Sequence, residues 1–220
     1  MPLEKNYCGY TKPITLTRSH AALLSAGSSL QIVESILSGE SRSGIGVIRP
    51  PGHHAECDET YGFCFFSNTA LAAKYAIEIH HLERILIIDW DVHHGNGIQR
   101  MFEEDPRVLY VSLHRLDIFP LKPEESDCNV IGTGAGAGYT VNIAWPKRGM
   151  GDAEYLAAFQ QIIMPIAYQY DPQLVLVAAG FDAAQGDPLG VPTSPVKPHN
   201  IPKRLLPMLE VNSNRCQHRW

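Results

Sequence analysis

The chain has no run of apolar residues approaching the ~18 that cross a bilayer. Its start, Met-Pro-Leu-Glu-Lys-Asn, shows no apolar core of a secretory signal. No membrane role is therefore expected. Positive charge is not in excess: 18 Lys and Arg stand against 23 Asp and Glu, a net charge of -5. A global basic field is absent, which argues against direct binding of nucleic acid. Cysteines are few and odd in number, Cys8, Cys57, Cys64, Cys128 and Cys216, with no Cys-x-x-Cys pair. That pattern excludes a disulfide framework and predicts thiols that mostly fill space in a reducing compartment, cytoplasm or nucleus. No internal repeat is visible.

What is present suits one α/β domain. The 220 residues are 45% hydrophobic and 19% charged, ordinary for a globular chain with a sizeable core. One stretch stands out, Ile85 to Gly97: Ile-Leu-Ile-Ile-Asp-Trp-Asp-Val-His-His-Gly-Asn-Gly. It opens as a branched apolar run, the pattern of a strand buried on both faces. It closes with acids, histidines and glycines. Side chains alternate along a strand, so Asp89, Asp91 and His93 leave on one face if the strand persists that far. The carboxyl edge of a parallel sheet is where ligands bind in open α/β folds.

Around this centre the spacing predicts a helix from His20 to Leu37, with Gly39 as its stop. A short strand is expected at Ile45 to Ile48. A Pro50-Pro51-Gly52-His53-His54 loop follows, then a helix from Ser67 to His81, capped by Ser67 or Asn68. Further strands are expected at Arg84 to Asp91, Val108 to Leu113, Thr140 to Ile143 and Leu174 to Ala179. Further helices are expected at Ile98 to Glu104 and at Asp152 to Tyr170, the latter kinked at Pro165. Residues 115–139 read as a long loop. The alternation of strands and helices predicts a mostly parallel sheet covered on both faces. Residues 191–220 differ in kind. They carry Pro192, Pro195, Pro198, Pro202 and Pro207, and five basic residues against the single acid Glu210, which reads as a disordered tail.

Asp91, His93 and Asp182 form a candidate metal triad. Two carboxylates and one imidazole suit Zn²⁺ and leave a position for water. His53 and His54, adjacent in a proline–glycine loop, suit acid–base work near neutral pH. Asp89 and Asn96 are placed to fix their tautomers. The pair His80-His81 lacks metal-type neighbours and reads as surface, as do His20, His114, His199 and His218.

Five motifs resemble the histone deacetylase family, in that family's order: Arg49-Pro-Pro-Gly-His-His-Ala55, Gly62-Phe-Cys64, Asp89-Trp-Asp-Val-His-His-Gly-Asn-Gly97, Val111-Ser-Leu-His114, and Ala179-Gly-Phe-Asp182 with Gly186-Asp-Pro-Leu-Gly190. The resemblance spans about residue 10 to Gly190, which marks residues 1–190 as a partial catalytic domain. It is nearest the class IIb members, which include cytoplasmic tubulin deacetylases. It implies an arginase-like αβα sandwich with a parallel sheet, incomplete at both ends. It implies a zinc-dependent hydrolase that removes acetyl groups from lysine side chains of proteins such as histone tails or tubulin. It also implies roles for single residues. Asp91, His93 and Asp182 hold zinc. His54 is general base and then acid, supported by Asn96. His53, supported by Asp89, stabilises charge and orients water. A structural potassium ion is held by Asp89, Asp91, Ser112 and the carbonyls of His93 and Leu113. Gly62, Phe63 and Phe119 line an acetyl-lysine channel. A neutral acetamide on an aliphatic stem suits such a tube, and a charged free lysine does not.

The sequence departs from the family in three places. It has no counterpart of the family's N-terminal segment with its acidic rim loop. Arg115 to Pro120 is a few residues shorter than in close relatives. No Gly-Gly-Tyr occurs anywhere, although the family's Tyr polarises the substrate carbonyl. Three functions are therefore carried forward: a protein lysine deacetylase impaired without that Tyr, a non-catalytic metal- or partner-binding product, and an acetylpolyamine deacetylase. Leu189 favours protein over polyamine, because polyamine-type relatives carry Glu at that place in Gly-Asp-Pro-x-Gly.

Overall fold

The computed structural model describes residues 16–184. Leu189 and the expected tail at 191–220 lie outside the described residues. The core strand β1 is Ile85–Asp89, all five residues buried. Val108–Arg115 (β2), Thr140–Trp145 (β3) and Leu174–Ala178 (β4) complete a sheet in the order β3-β2-β1-β4. Every pairing is parallel.

Alternation along β1 and β2 divides the core in two. Ile85, Ile87, Val108 and Tyr110 face one side. There they pack beneath the helices Leu16–Leu37 (α1), Asn68–His80 (α2) and Asn96–Phe102 (α3). The α2 face is built of Ala70, Ala72, Ala73 and Ala76, small enough to let the helix sit close to the sheet. Leu86, Ile88, Leu109, Val111 and Leu113 face the other side, under Ala158, Phe159 and Ile163. Each branched chain removed from water there contributes ~1.5–3 kcal/mol. The result is the parallel sheet covered on both faces that the pattern predicts, and the αβα sandwich that the resemblance implies.

Several expectations need correction. Ile45 to Ile48 forms no strand, and Ile45 and Val47 are 89% and 98% exposed. No described strand lies beside this segment, and an unpaired run has no ladder to hold it extended. Neither Ser67 nor Asn68 caps α2 with its side chain. The Asn68 amide instead donates to Ser25 Oγ (3.0 Å) and the Pro50 carbonyl (3.2 Å), which fastens the histidine loop to α1. The 115–139 segment contains a short helix, Pro123–Ser126 (α4), and a 3₁₀ turn, Gly134–Gly136. Pro165 does not simply kink one helix. Asp152–Ala158 (α5) passes through a π-helical segment, Phe159–Ile163, into Met164–Tyr170 (α6). Proline lacks the N–H for a backbone bond and clashes with the preceding turn, and a widened turn upstream relieves both. Among the described thiols only Cys64 is buried, so the packing role fails for the exposed Cys57 and Cys128. No described helix is long and apolar enough to cross a membrane.

His114 is not a surface residue. It is fully buried on β2, with Nδ1 2.8 Å from Ser112 Oγ and Nε2 2.8 Å from the Ser126 carbonyl. Burial pushes its pKa down to about 4, against the opposing bond to Ser126. The His94 ring lies 4.6 Å away and is lowered to about 3, first by burial and then by His114. Unfolded histidine titrates near 6.5. The stability from keeping these rings neutral is complete above that pH and is lost as pH falls toward the lower folded values. For His114 alone the loss is on the order of 3 kcal/mol. Urea unfolding between about pH 7 and pH 4 is expected to show this decline, and His114→Gln is expected to flatten it. An unchanged slope in the variant would contradict the assignment.

Candidate metal centre and active site

β1 ends at Asp89, earlier than expected, so strand alternation does not aim Asp91 and His93. A hydrogen-bonded turn does that instead. The Asp91 N–H donates to Asp89 Oδ1 (3.2 Å), and the His93 N–H donates to Asp91 Oδ1 (2.8 Å). Short acidic side chains commonly bond the backbone two residues on in this way. Asp182 arrives from the end of β4, the strand beside β1. Its Oδ1 accepts the Val92 N–H at 3.0 Å, and its Oδ2 lies 2.9 Å from His93 Nδ1. The chain reverses its order of strands between β1 and β4, the position where open α/β sheets form their ligand crevice. Gly180 is required there, because a Cβ would run into the Asp91 carboxylate.

Asp91, His93 and Asp182 thus place one ligand atom each within 4.8 Å of one another. His93 Nδ1 also lies 2.9 Å from Asp91 Oδ1, so it faces two carboxylates at once. Burial works against charge on this ring, yet the bonds to Asp182 and Asp91 raise its pKa to about 9. Burial likewise opposes ionisation of Asp91, but His53 and His93 outweigh it and hold that carboxyl well below its usual range. An imidazole with two carboxylates is a donor set that zinc accepts.

The two loop histidines stand beside this set, with ring centroids 3.9 Å apart. His53 Nδ1–H donates to Asp89 Oδ2 at 3.0 Å. His54 Nδ1–H donates to Asn96 Oδ1 at 2.8 Å. Each carboxylate or amide oxygen fixes the proton on Nδ1 and leaves Nε2 for chemistry. The His53 Nε2 lies 3.7 Å from Asp91 Oδ2. The loop reaches this position by packing on the start of α3, where Gly97 N–H donates to the His53 carbonyl at 3.0 Å. A side chain at Gly97 would strike the Ala55 carbonyl. Similar surroundings set the two rings differently. Burial lowers His53, but Asp91 and Asp89 more than compensate and raise it to about 9. His54 is depressed well below its usual value by burial and then by the charge of His53, and Asn96 offers no charge in return. One ring favours the cation and its neighbour the neutral base.

The residues expected around a potassium ion are close in the sheet. Asp89 and Ser112 are register partners across β1 and β2, both fully buried, and Leu113 follows. Phe119 reaches the site despite its shorter loop. Its ring packs edge-on against His54 at 4.9 Å and lies 6.2 Å from His93. Gly62 takes φ +51, and a Cβ there would collide with the His54 ring. Phe63 is 45% exposed with φ 67, so it is not core. His80 sits apart, bonded to Glu34 on the surface at 2.7 Å.

The histone deacetylase domain matches residues 4–216 of the chain. The chain belongs to the histone deacetylase family. It is 51% identical over 192 residues to a protein of Rattus norvegicus named polyamine deacetylase HDAC10, covering 86% of this chain and 32% of that protein. It is 50% identical over 184 residues to histone deacetylase 6 of Caenorhabditis elegans, covering 80% of this chain and 19% of that protein. Among solved structures, the HDA15 HD domain superposes with a TM-score of 0.75 at 43% identity, covering 79% of this chain and 49% of that one. The class IIb-like resemblance stands with these relatives at about half identity. The chain spans under a third of the curated relatives named here and about half of the solved domain.

Three residues of this deacetylase-family site were not anticipated. Tyr61 stacks near Phe119, with ring centroids 4.8 Å apart, and extends the aromatic wall. Glu56 accepts the Asn96 amide at 2.7 Å and so sets which way that amide points. Tyr110 places its hydroxyl 3.1 Å from Asp89 Oδ2. A signal existed for Tyr110 alone: it is the one aromatic with a polar tip in an otherwise aliphatic buried stretch, Val108 to Val111.

Proposed function

We propose that this chain carries the metal-binding and acid–base machinery of a zinc-dependent lysine deacetylase. One observation carries the reading: the two histidines, each with Nδ1 pinned and Nε2 available, stand beside a three-ligand donor set at the sheet's carboxyl edge. Asp91, His93 and Asp182 would hold zinc, which when bound polarises the acetyl carbonyl and acidifies water. His54, kept neutral by its surroundings, takes the proton from the attacking water and returns it to the departing amine. His53, held charged against Asp89, orients that water and offsets the negative charge that develops. Tyr61, Phe119, Phe63 and Gly62 form an apolar wall for the acetyl-lysine stem. Asp89, Asp91, Ser112 and the carbonyls of His93 and Leu113 would hold a structural potassium ion beneath the turn.

The substrates proposed are acetylated proteins, histone tails or tubulin, in cytoplasm or nucleus. A second reading has support of its own, since the relative from Rattus norvegicus is named a polyamine deacetylase. Leu189 favours the first, because an aliphatic side chain gives a cationic amine no partner. A polypeptide extended through the family's Gly-Gly-Tyr segment is expected to show higher kcat/KM on an acetylated tubulin peptide than on N8-acetylspermidine. The reverse order would establish the polyamine reading.

A further inference from the structure

We propose that Tyr110 is a positioning residue for both active-site histidines, its single hydroxyl shared between the Asp89 carboxylate and the Gly95 carbonyl. The ring is fully buried in the middle of β2, among Ile85, Ile87, Ile98 and Phe102. Phenylalanine would fill that space equally well, so the hydroxyl needs a reason of its own. It lies 3.1 Å from Asp89 Oδ2 and 3.2 Å from the Gly95 carbonyl.

Each acceptor leads to a different histidine. Asp89 Oδ2 is the same oxygen that accepts the His53 Nδ1–H at 3.0 Å. Gly95 precedes Asn96, whose Oδ1 accepts the His54 Nδ1–H at 2.8 Å. The phenol therefore sits where the two supporting arms meet. A hydroxyl has one proton to donate. Two acceptor oxygens cannot bond each other, and the hydroxyl between them holds carboxylate and loop at a fixed separation. The close approach also depends on Gly95, because a Cβ there would collide with both Asp89 Oδ2 and the Tyr110 hydroxyl.

The consequence for turnover rests on the deacetylase reading, but the hydrogen bonds do not. The test uses the full chain labelled with ¹⁵N-histidine, and the imidazole N–H resonances are read by NMR with and without zinc. In Tyr110→Phe, Asp89 Oδ2 loses a competing donor. The remaining bond from His53 strengthens, and its Nδ1 proton is expected to move downfield. The His54 Nδ1 resonance is expected to move as well, because the Gly95 carbonyl has lost one of its two donors and keeps only the Gln99 N–H at 3.1 Å. Placing 3,5-difluorotyrosine at position 110 keeps the shape and makes a stronger donor, so the His53 proton is expected to move upfield. Opposite shifts from the two replacements are not what a merely space-filling ring would give. If Tyr110→Phe fails to fold, the fluorinated protein decides alone. Unmoved histidine resonances in folded protein, or shifts of the same sign from both replacements, would overturn the proposal. Absence of turnover by an extended polypeptide would sink the deacetylase reading and leave these shifts as they are.

Discussion

Replacing Asp182 by alanine is expected to abolish stoichiometric zinc binding. Asp91 and His93 come from one tight turn after β1 and supply two ligand atoms. Only Asp182, from the end of β4, closes the set from the neighbouring strand. Catalytic zinc sites take three protein ligands, and two leave the ion too open to be retained. The substitution also frees the Val92 N–H, which bonds Asp182 Oδ1 at 3.0 Å, so the turn that aims Asp91 loosens at the same time. Elemental analysis after exhaustive dialysis is the measurement. The unsubstituted protein should hold one zinc per chain, and Asp182→Ala close to none. Thermal midpoints with and without added zinc provide a second reading, since an ion that binds only the folded state stabilises it by mass action. Full zinc occupancy in Asp182→Ala would remove Asp182 from the ligand set.

The second large effect concerns turnover by the 220-residue polypeptide itself. Its sequence contains no Gly-Gly-Tyr, the segment whose Tyr hydroxyl, by family resemblance, meets the substrate carbonyl as it gains negative charge. Losing one such donor typically costs ~10²–10³ in rate. The two histidines and the three-residue donor set are assembled without it, so metal binding is expected to survive where catalysis does not. The 220-residue polypeptide and a version extended through Gly-Gly-Tyr should be assayed on one acetyl-lysine peptide, each with its zinc content measured. The extended version is expected to be faster by at least about two orders of magnitude at equal zinc. Equal rates would show that some group within the 220 residues already supplies that donor.

Much of this was legible in the chain itself. The run Ile85 to Ile88 reads as a buried strand, because four consecutive apolar residues before an acidic turn leave no solvent face. The order of motifs placed Asp91, His93 and Asp182 at strand ends, and parallel strands put such ends on one edge of a sheet. Adjacent histidines after Pro-Pro-Gly marked the pair that stands beside this donor set. Local pattern suffices for these because strand burial and turn chemistry are fixed within a few residues.

Other features lay beyond the sequence. Apolar content alone does not separate Ile45 to Val47, which forms no strand, from Val108 to Val111, which lies in a strand paired with β1 along its start and with β3 from Tyr110 on; a strand exists only if a neighbour completes its ladder. Nor could local reading separate His114 from a surface histidine, since its burial depends on α4 folding back to offer the Ser126 carbonyl. The unlike ionisation of His53 and His54 is likewise a tertiary result. The two residues are neighbours of one type, and they diverge because Asp89, from one strand, meets the first while a neutral Asn96, from one helix, meets the second. The sequence by itself determined which groups reach the sheet's edge. Only the packing of distant segments decided which charge each group faces there, because a buried charge is set by whatever stands within a few ångströms, regardless of separation along the chain.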